Sequence, residues 1–472
     1  MANGDGVLGW ARSAARSALL RIERLRPAIE VQGWERPLIG PPGPVPPMQS
    51  VVRPQSDDGP KALPPAVREA MQAAAQRPAI RCLLVTSGID AGGMDEVVAF
   101  LARRLRDFNF ETAVLRTTDT PAPDGVSTGR LARMLQSEGI TVLDHSAATA
   151  VAWMRDWDPA VISGHGQPDW AVAAAAELGV PCVDTLHGMH TLFGVDWAAE
   201  RVRASSLARI VSVSELVRQQ YLAGNPAYPS DHIVTIPNAV DDQRRPRYER
   251  AVARQALGLT DEYVLVSLAR HCLQKNTYGL VGAFGDFART RPQAHLVIAG
   301  RVEDDRYFRR VTRLRDSLPC RDRVHLRDHA PDPALLLAAA DGFVLDAFFE
   351  GWALAPMEAL FMGLPVVTSD VGGAREQIAD DPARGVVVAN PLGDPLAADW
   401  PSIARARYAD QPNRAEFVAA MELLYAGRET YRANRASLAA ESGLRFDAGT
   451  CIAEHAALLS ELAGIAQHEE LS

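Results

Sequence analysis

Cysteine is scarce in this 472-residue chain, and the five present, Cys82, Cys182, Cys272, Cys320 and Cys451, are odd in number and widely spaced. With no CxxC and no Cys/His cluster at zinc-ligand spacing, a disulfide framework and a zinc module are both excluded, no metal site is expected, and free thiols in a reducing compartment follow. Long uncharged runs are missing too. A bilayer span needs about 20 apolar residues, yet even the apolar stretch from Ala334 to Phe349 carries Asp341 and Asp346, so an integral membrane protein is excluded. Arg12, Arg16, Arg21 and Arg24 interrupt the stretch where the apolar core of an export signal would lie, and a cytoplasmic location is expected. Excess positive charge is also lacking. Lys and Arg total 49 against 58 Asp and Glu, a net charge of −9, the wrong sign for wrapping nucleic acid, so no nucleic-acid partner is expected.

What is present is ordinary globular material, 47% apolar and 23% charged, in a chain long enough for two or three domains. Residues 1–79 differ from the rest. Leu8, Ala11, Ala15, Leu19, Ile22 and Leu25 recur at helical spacing among five arginines, and proline is dense from Pro37 to Pro65. The first 30 residues therefore read either as a peripheral membrane-surface helix or as a helix packed on its own protein, and the rest as a linker.

From Ile80 onward, short apolar runs alternate with helix-length segments. Cys82–Thr86, Thr112–Leu115, Thr141–Asp144, Ala160–Ser163, Val180–Asp184 and Ile210–Val213 are predicted as buried parallel strands, and the rhythm restarts at Tyr263–Leu268, His295–Ala299, Val324–Leu326, Gly342–Leu345, Pro365–Thr368 and Val386–Val388. The expected fold is α/β: two tandem Rossmann-like, doubly wound domains, 80–245 and 246–440, with a ligand cleft between them. A helical segment over 441–472 is predicted to pack back toward the first domain.

The most informative segment is Glu350-Gly-Trp-Ala-Leu-Ala-Pro-Met-Glu358. About seven acidic pairs at this spacing arise by chance in such a composition, so the context has to supply the meaning. Glu350 follows a predicted strand, Gly351 lets backbone approach a ligand, and the amides of Trp352, Ala353 and Leu354 open a helix whose positive end suits a pyrophosphate. Glu358, one turn into that helix, is placed to accept hydrogen bonds from ribose hydroxyls. Arg270 and Lys275 emerge from the carboxyl end of the strand starting at Tyr263, where two cations can neutralise a diphosphate. A cationic pair in a loop is usually just solvated; the pair gains meaning from the glutamate segment. Gly92 and Gly93, after the first strand, allow close approach of a substrate or of the other domain, or form only a tight turn.

This set resembles glycosyltransferase family 4, the retaining nucleotide-sugar enzymes of GT-B fold. The residues that carry the likeness are Arg270-x4-Lys275, Glu350-x7-Glu358, Gly363-Leu-Pro-Val-Val-Thr-Ser-Asp-Val-Gly-Gly373, Ile236-Pro-Asn-Ala-Val-Asp241, Val213-Ser-Glu215 and Gly92-Gly93. The resemblance spans about 80–465 and is strongest over 262–391. It implies that Arg270 and Lys275 hold the donor diphosphate, that Glu358 binds the ribose, and that Glu350 touches the transferred sugar. It also implies that His187, in Thr185-Leu-His-Gly188, faces that sugar across the cleft; His165 and His190 are read as cleft lining and not as chemistry. The nucleobase is expected near Arg327 and Asp328. The donor is then a co-substrate, a UDP- or GDP-sugar, and no cofactor is expected; the acceptor is open. The chain departs from the family pattern at Ala353, where a second glycine is usual, at Asp346-Ala347, where Pro-Ser or Ser-Ser is typical, and at Asp95. A nucleotide-sugar epimerase or phosphorylase of the same fold, or a silent nucleotide-sugar-binding protein, are the competing readings.

Overall fold

The computed structural model describes residues 31–34, 38, 63–90, 92–117, 129–239 and 248–464. The helix expected within residues 1–30 and most of the proline-dense linker lie outside them.

Thirteen strands form two sheets among the described residues. The first contains β1 (Ile80–Thr86), β2 (Phe110–Thr117), β3 (Thr141–His145), β4 (Val161–His165), β5 (Cys182–Leu186), β6 (Arg209–Ser212) and β7 (Ile233–Thr235). Their order is β3-β2-β1-β4-β5-β6-β7, and every pairing is parallel. The second contains β8 (Tyr263–Leu268), β9 (Ala294–Ala299), β10 (Val324–Arg327), β11 (Gly342–Leu345), β12 (Val366–Ser369) and β13 (Gly385–Val388), also all parallel, in the order β10-β9-β8-β11-β12-β13. Both are doubly wound α/β sheets whose strand order reverses once, between β1 and β4 and between β8 and β11. Crevices outside the carboxyl ends at such reversals are where open sheets bind ligands.

The strands are apolar on both faces because helices cover both. The helices Gly93–Arg104 and Arg130–Ser137 bury Val98, Leu101 and Leu135 on one side of the first sheet; Ala147–Trp157, Asp169–Leu178 and Glu215–Gly224 bury Met154, Val172 and Tyr221 on the other. In the second sheet, Pro333–Ala339 and Leu354–Phe361 cover one face, and Thr277–Phe287, Asp305–Ser317 and Arg414–Ala426 the other.

Three features differ from the sequence reading. Strand β7 is additional, only three residues long, and ends beside Ile236-Pro237. The helix Arg428–Arg445 is also additional: only Leu438, Ser442 and Gly443 are buried along its 18 residues, too sparse an apolar stripe to read. It runs through the boundary expected at 440/441, so the segment that returns to the first domain starts later, with the helix Ala448–Leu462 laying Cys451, Ile452, Ala456 and Leu459 into the first domain's core. Nor do the described residues among 1–79 stand apart. The helix Pro65–Ala74 buries Val67 in that same core, while Leu38 is buried in the core of the second domain and its amide donates to the Leu257 carbonyl at 3.4 Å.

The two domains touch at the loops that follow β5 and β11. Gly188 and Gly351 form an antiparallel bridge, the Met189 amide donates to the Glu350 carbonyl at 3.4 Å, and Phe348 and Phe349 pack among Leu186, Met189 and Leu192. Farther along, the Glu215 amide donates to Glu376 Oε1 at 2.7 Å.

Candidate active site

The loop after β8 carries Arg270 and Lys275 and ends at Asn276, a left-handed residue (φ 46°) whose side chain caps the helix Thr277–Phe287. The loop after β11 carries Glu350. Lys275 Nζ lies 2.5 Å from Glu350 Oε1, with only 16% and 7% of the two side chains exposed. One residue staples the loops together. Gln274 accepts from Arg270 Nη2 (3.0 Å), donates from Nε2 to the Phe349 carbonyl (3.2 Å), and its own carbonyl accepts from the Phe348 amide (2.9 Å). Arg270 also pairs with Glu303 beyond β9. Gln274 was missed by the sequence reading; its position inside Arg270-x4-Lys275 was the available signal.

Gly351 has no room for a side chain. A Cβ there would lie 1.9 Å from the His187 carbonyl oxygen, and one on Gly372 (φ 47°) would lie 2.0 Å from the Gly351 carbonyl oxygen. Three stretches of backbone therefore meet where the domains face each other, and His187 is fixed at that seam.

His187 is not isolated. Its Nε2 lies 2.8 Å from His165 Nδ1, and His165 Nε2 lies 3.1 Å from Ser163 Oγ, with His165 fully buried at the end of β4. Burial, reinforced by His455 and His190, pushes His187 down to about 3, and burial likewise lowers His165. Both rings are neutral at pH 7, so each carries one N–H: one ring of the His165–His187 pair donates to the other, and that choice of tautomer sets whether His165 accepts from or donates to Ser163 Oγ. His190 has its ring 5.6 Å from that of Phe349; burial of the ring lowers its pKa most, with Glu350 acting to raise it and Arg270 and Lys275 to lower it.

Glu358 is buried (6% exposed) in the helix Leu354–Phe361, whose N-cap is Ala353; the Ala353 carbonyl accepts from Gln377. The Trp352 side chain points into the second domain's core and packs edge-on against Phe446, while its amide, the part expected to meet the donor, lies at the start of the helix Leu354–Phe361. Gly92 caps and Gly93 opens the helix Gly93–Arg104, and a Cβ on Gly93 would meet no protein atom within 4 Å. Arg327 and Asp328 are not grouped with Lys275 and Glu350. They contact residues 33 and 34 instead, Arg327 Nη1 donating to the Gly33 carbonyl and the Asp328 carbonyl accepting from Trp34 Nε1. No group of three or more His, Cys, Asp or Glu side chains suited to a metal ion occurs among the described residues.

Residues 91–244 match the family described as Glycosyltransferase Family 4, and residues 249–403 match Glycosyl transferases group 1. The chain belongs to glycosyltransferase family 4. It is 29% identical over 294 residues to a glycogen synthase of Mycobacterium tuberculosis, covering 56% of this chain and 66% of that one, just under two thirds of its length. It is 28% identical over 382 residues to a D-inositol 3-phosphate glycosyltransferase of Xylanimonas cellulosilytica, covering 70% and 86%. Among solved structures, Anabaena HepE in complex with UDP superposes with a TM-score of 0.64 at 18% identity, over 81% of this chain and all of that one. A glycosyltransferase of Rickettsia africae gives 0.67 at 14%, over 82% and 99%. At such identities the structural likeness is one of fold, and the fold is GT-B.

This family 4 chain places a carboxylate, Asp346, directly behind the site. Asp346 is fully buried and accepts from Asn276 Nδ2 (2.9 Å) and Asn413 Nδ2 (2.8 Å), and Gln411 completes the cluster through Asn276. Burial pushes the carboxyl up to about 7, against the pull of the two amides. Its folded value thus lies above the unfolded one, near 3.9. The stabilisation from holding this proton is complete below about pH 4 and is lost as pH rises through 7. The melting temperature of the wild type is expected to fall between pH 5 and 8 more steeply than that of Asp346→Asn, which stays neutral throughout. Parallel slopes in differential scanning calorimetry would remove Asp346 as the titrating group.

Proposed function

We propose that the protein transfers a sugar from a nucleoside diphosphate sugar, a UDP- or GDP-sugar, to an acceptor hydroxyl with retention of anomeric configuration and without a divalent metal. The observation that carries this reading is the convergence of Arg270, Lys275 and Glu350 on one side of the domain seam with His187 on the other. Support for the donor class comes from neighbours of the same fold solved with UDP and with UDP-glucose. The anomeric carbon loses its bond to the diphosphate oxygen and gains one to the acceptor oxygen on the same face, while the acceptor proton passes to the departing diphosphate. Lys275 and Arg270 neutralise the charge that develops on that leaving group. Glu350, held by Lys275, is placed for hydroxyls of the transferred sugar, and Glu358 for those of the ribose. Neutral His187 can hydrogen-bond the reacting sugar without adding a second positive charge. The reading goes with a role in glycan, polysaccharide or glycoconjugate synthesis on the cytoplasmic side, with residues 1–30 as a peripheral membrane contact. Among the described residues no helix is long and apolar enough to cross a membrane.

The test is incubation with a panel of nucleotide sugars, without acceptor, with and without EDTA. Slow release of the nucleoside diphosphate from one of them, undiminished by EDTA, is expected. Release from none would favour a silent binding protein, and loss of release on chelation would overturn the metal-independent step.

A further inference from the structure

We propose that residues 31–34, an N-terminal strap on the edge of the second sheet, build a wall of the donor's nucleobase site and that Trp34 is the residue that touches the base. The inference rests on the donor reading above and adds a recognition residue from outside the two sheets.

The strap lies against edge strand β10. Gln32 bridges Arg327 in parallel, the Asp328 amide donates to the Gln32 carbonyl (3.0 Å), and Arg327 Nη1 donates to the Gly33 carbonyl (2.6 Å). Because the strap runs parallel to β10, Trp34 lies two residues past the level of Arg327, beyond the strand's carboxyl end. There its Nε1 donates to the Asp328 carbonyl at 3.0 Å and its ring lies 5.8 Å from the Arg327 guanidinium carbon. Val31 packs toward the core on one face of the sheet and Trp34 toward that on the other, so the strap wraps the edge.

The position matters because of the strand order. In β10-β9-β8-β11, the ends of β10 and β8 are two strand spacings apart, about 10 Å along the same carboxyl rim. A nucleoside diphosphate with its phosphates at Arg270 and Lys275 has to extend its base along that rim in one direction or the other. Toward β12 the way is filled, since Gly351, Gly372 and Gly373 are packed backbone to backbone and against Trp352. Toward β10 the rim is continuous: His271, next to Arg270, lies 2.9 Å through Nε2 from the Arg327 carbonyl, and Asp328 and Trp34 follow. Arg327 and Asp328, near which the base is expected, are both bonded to the strap, through the Arg327 guanidinium and the Asp328 carbonyl. What the rim offers a planar base at that distance is a half-buried indole held in place by its own N–H, a surface suited to stacking.

The test uses the full-length protein and titration calorimetry with UDP, GDP and inorganic pyrophosphate. Trp34→Ala is expected to weaken binding of the preferred nucleoside diphosphate about tenfold, to leave pyrophosphate affinity unchanged, and Trp34→Phe to restore most of the loss. Unaltered or tighter nucleotide binding by Trp34→Ala would overturn the proposal, as would an equal loss for pyrophosphate. Nucleotide binding by the wild type that Trp34→Ala leaves unchanged overturns the base wall alone, whereas a wild type that binds pyrophosphate but neither nucleotide overturns the donor reading as well. One that binds none of the three overturns the donor reading and the wall with it.

Discussion

Lys275→Ala is expected to lower donor turnover by about 10²–10³-fold, the usual consequence of removing one preorganised group that meets developing charge. Two effects combine in this variant and can be separated. Nζ would no longer meet the diphosphate, and the Glu350 carboxylate, with 7% of its side chain exposed, would be left buried without its cation, which is destabilising in its own right. The double variant Lys275→Ala/Glu350→Gln removes the uncompensated charge. Its melting temperature is expected to recover toward the wild type while nucleoside diphosphate release stays low. If activity recovers along with stability, Lys275 serves only to neutralise Glu350 and the phosphate role fails. Arg270→Ala, which leaves that buried pair intact, is expected to act on turnover with little change in melting temperature.

Gly351→Ala should be nearly as damaging for a different reason. The atoms an added Cβ would meet, the His187 carbonyl oxygen at 1.9 Å, its carbon at 2.6 Å and Gly188 Cα at 2.8 Å, are all backbone. Backbone cannot rotate away as a side chain can, so the domains have to part at the seam. A displacement of about 1 Å between groups that must meet across a cleft costs on the order of 10²-fold in rate. Donor hydrolysis by this variant is therefore expected to fall by about that factor while the cores of both domains stay folded, as read by circular dichroism. Gly282→Ala is the matching control, since its Cβ would meet nothing nearer than the Arg414 side chain at 3.5 Å, an ordinary contact distance away from the seam. Equal hydrolysis by Gly351→Ala and wild type would show that the seam does not set the geometry.

Much of this was legible in the sequence because the sheets are buried on both faces, which forces short apolar strands at regular intervals. The cationic pair and Glu350 could be placed from the strand ends that precede them. Trp352 could not, because an aromatic after a loop glycine reads the same whether it turns toward a cleft or, as here, into the core beside Phe446. The Ser163–His165–His187 chain was hidden since His165, at the end of β4, and His187, just past β5, are 22 residues apart, and only the β4–β5 pairing brings them together. The strap was hidden for the opposite reason. A single stretch of edge pairing between residue 32 and residue 327 leaves no periodic signal, and the glycines and prolines around it read as linker.

The last helix, Ala448–Leu462, follows the second domain in the chain yet buries its apolar side in the first. Anyone grafting this donor-binding half onto a different acceptor-binding half would have to cut the chain between Ala239 and Tyr248 and again after Arg445, and would have to bring along residues 31–34 and Leu38, which pack on the second domain. The fifteen-residue helix would stay behind with the first domain, since a chimera carrying it along would present Ile452 and Leu459 to water and leave the trough it fills in the first domain uncovered.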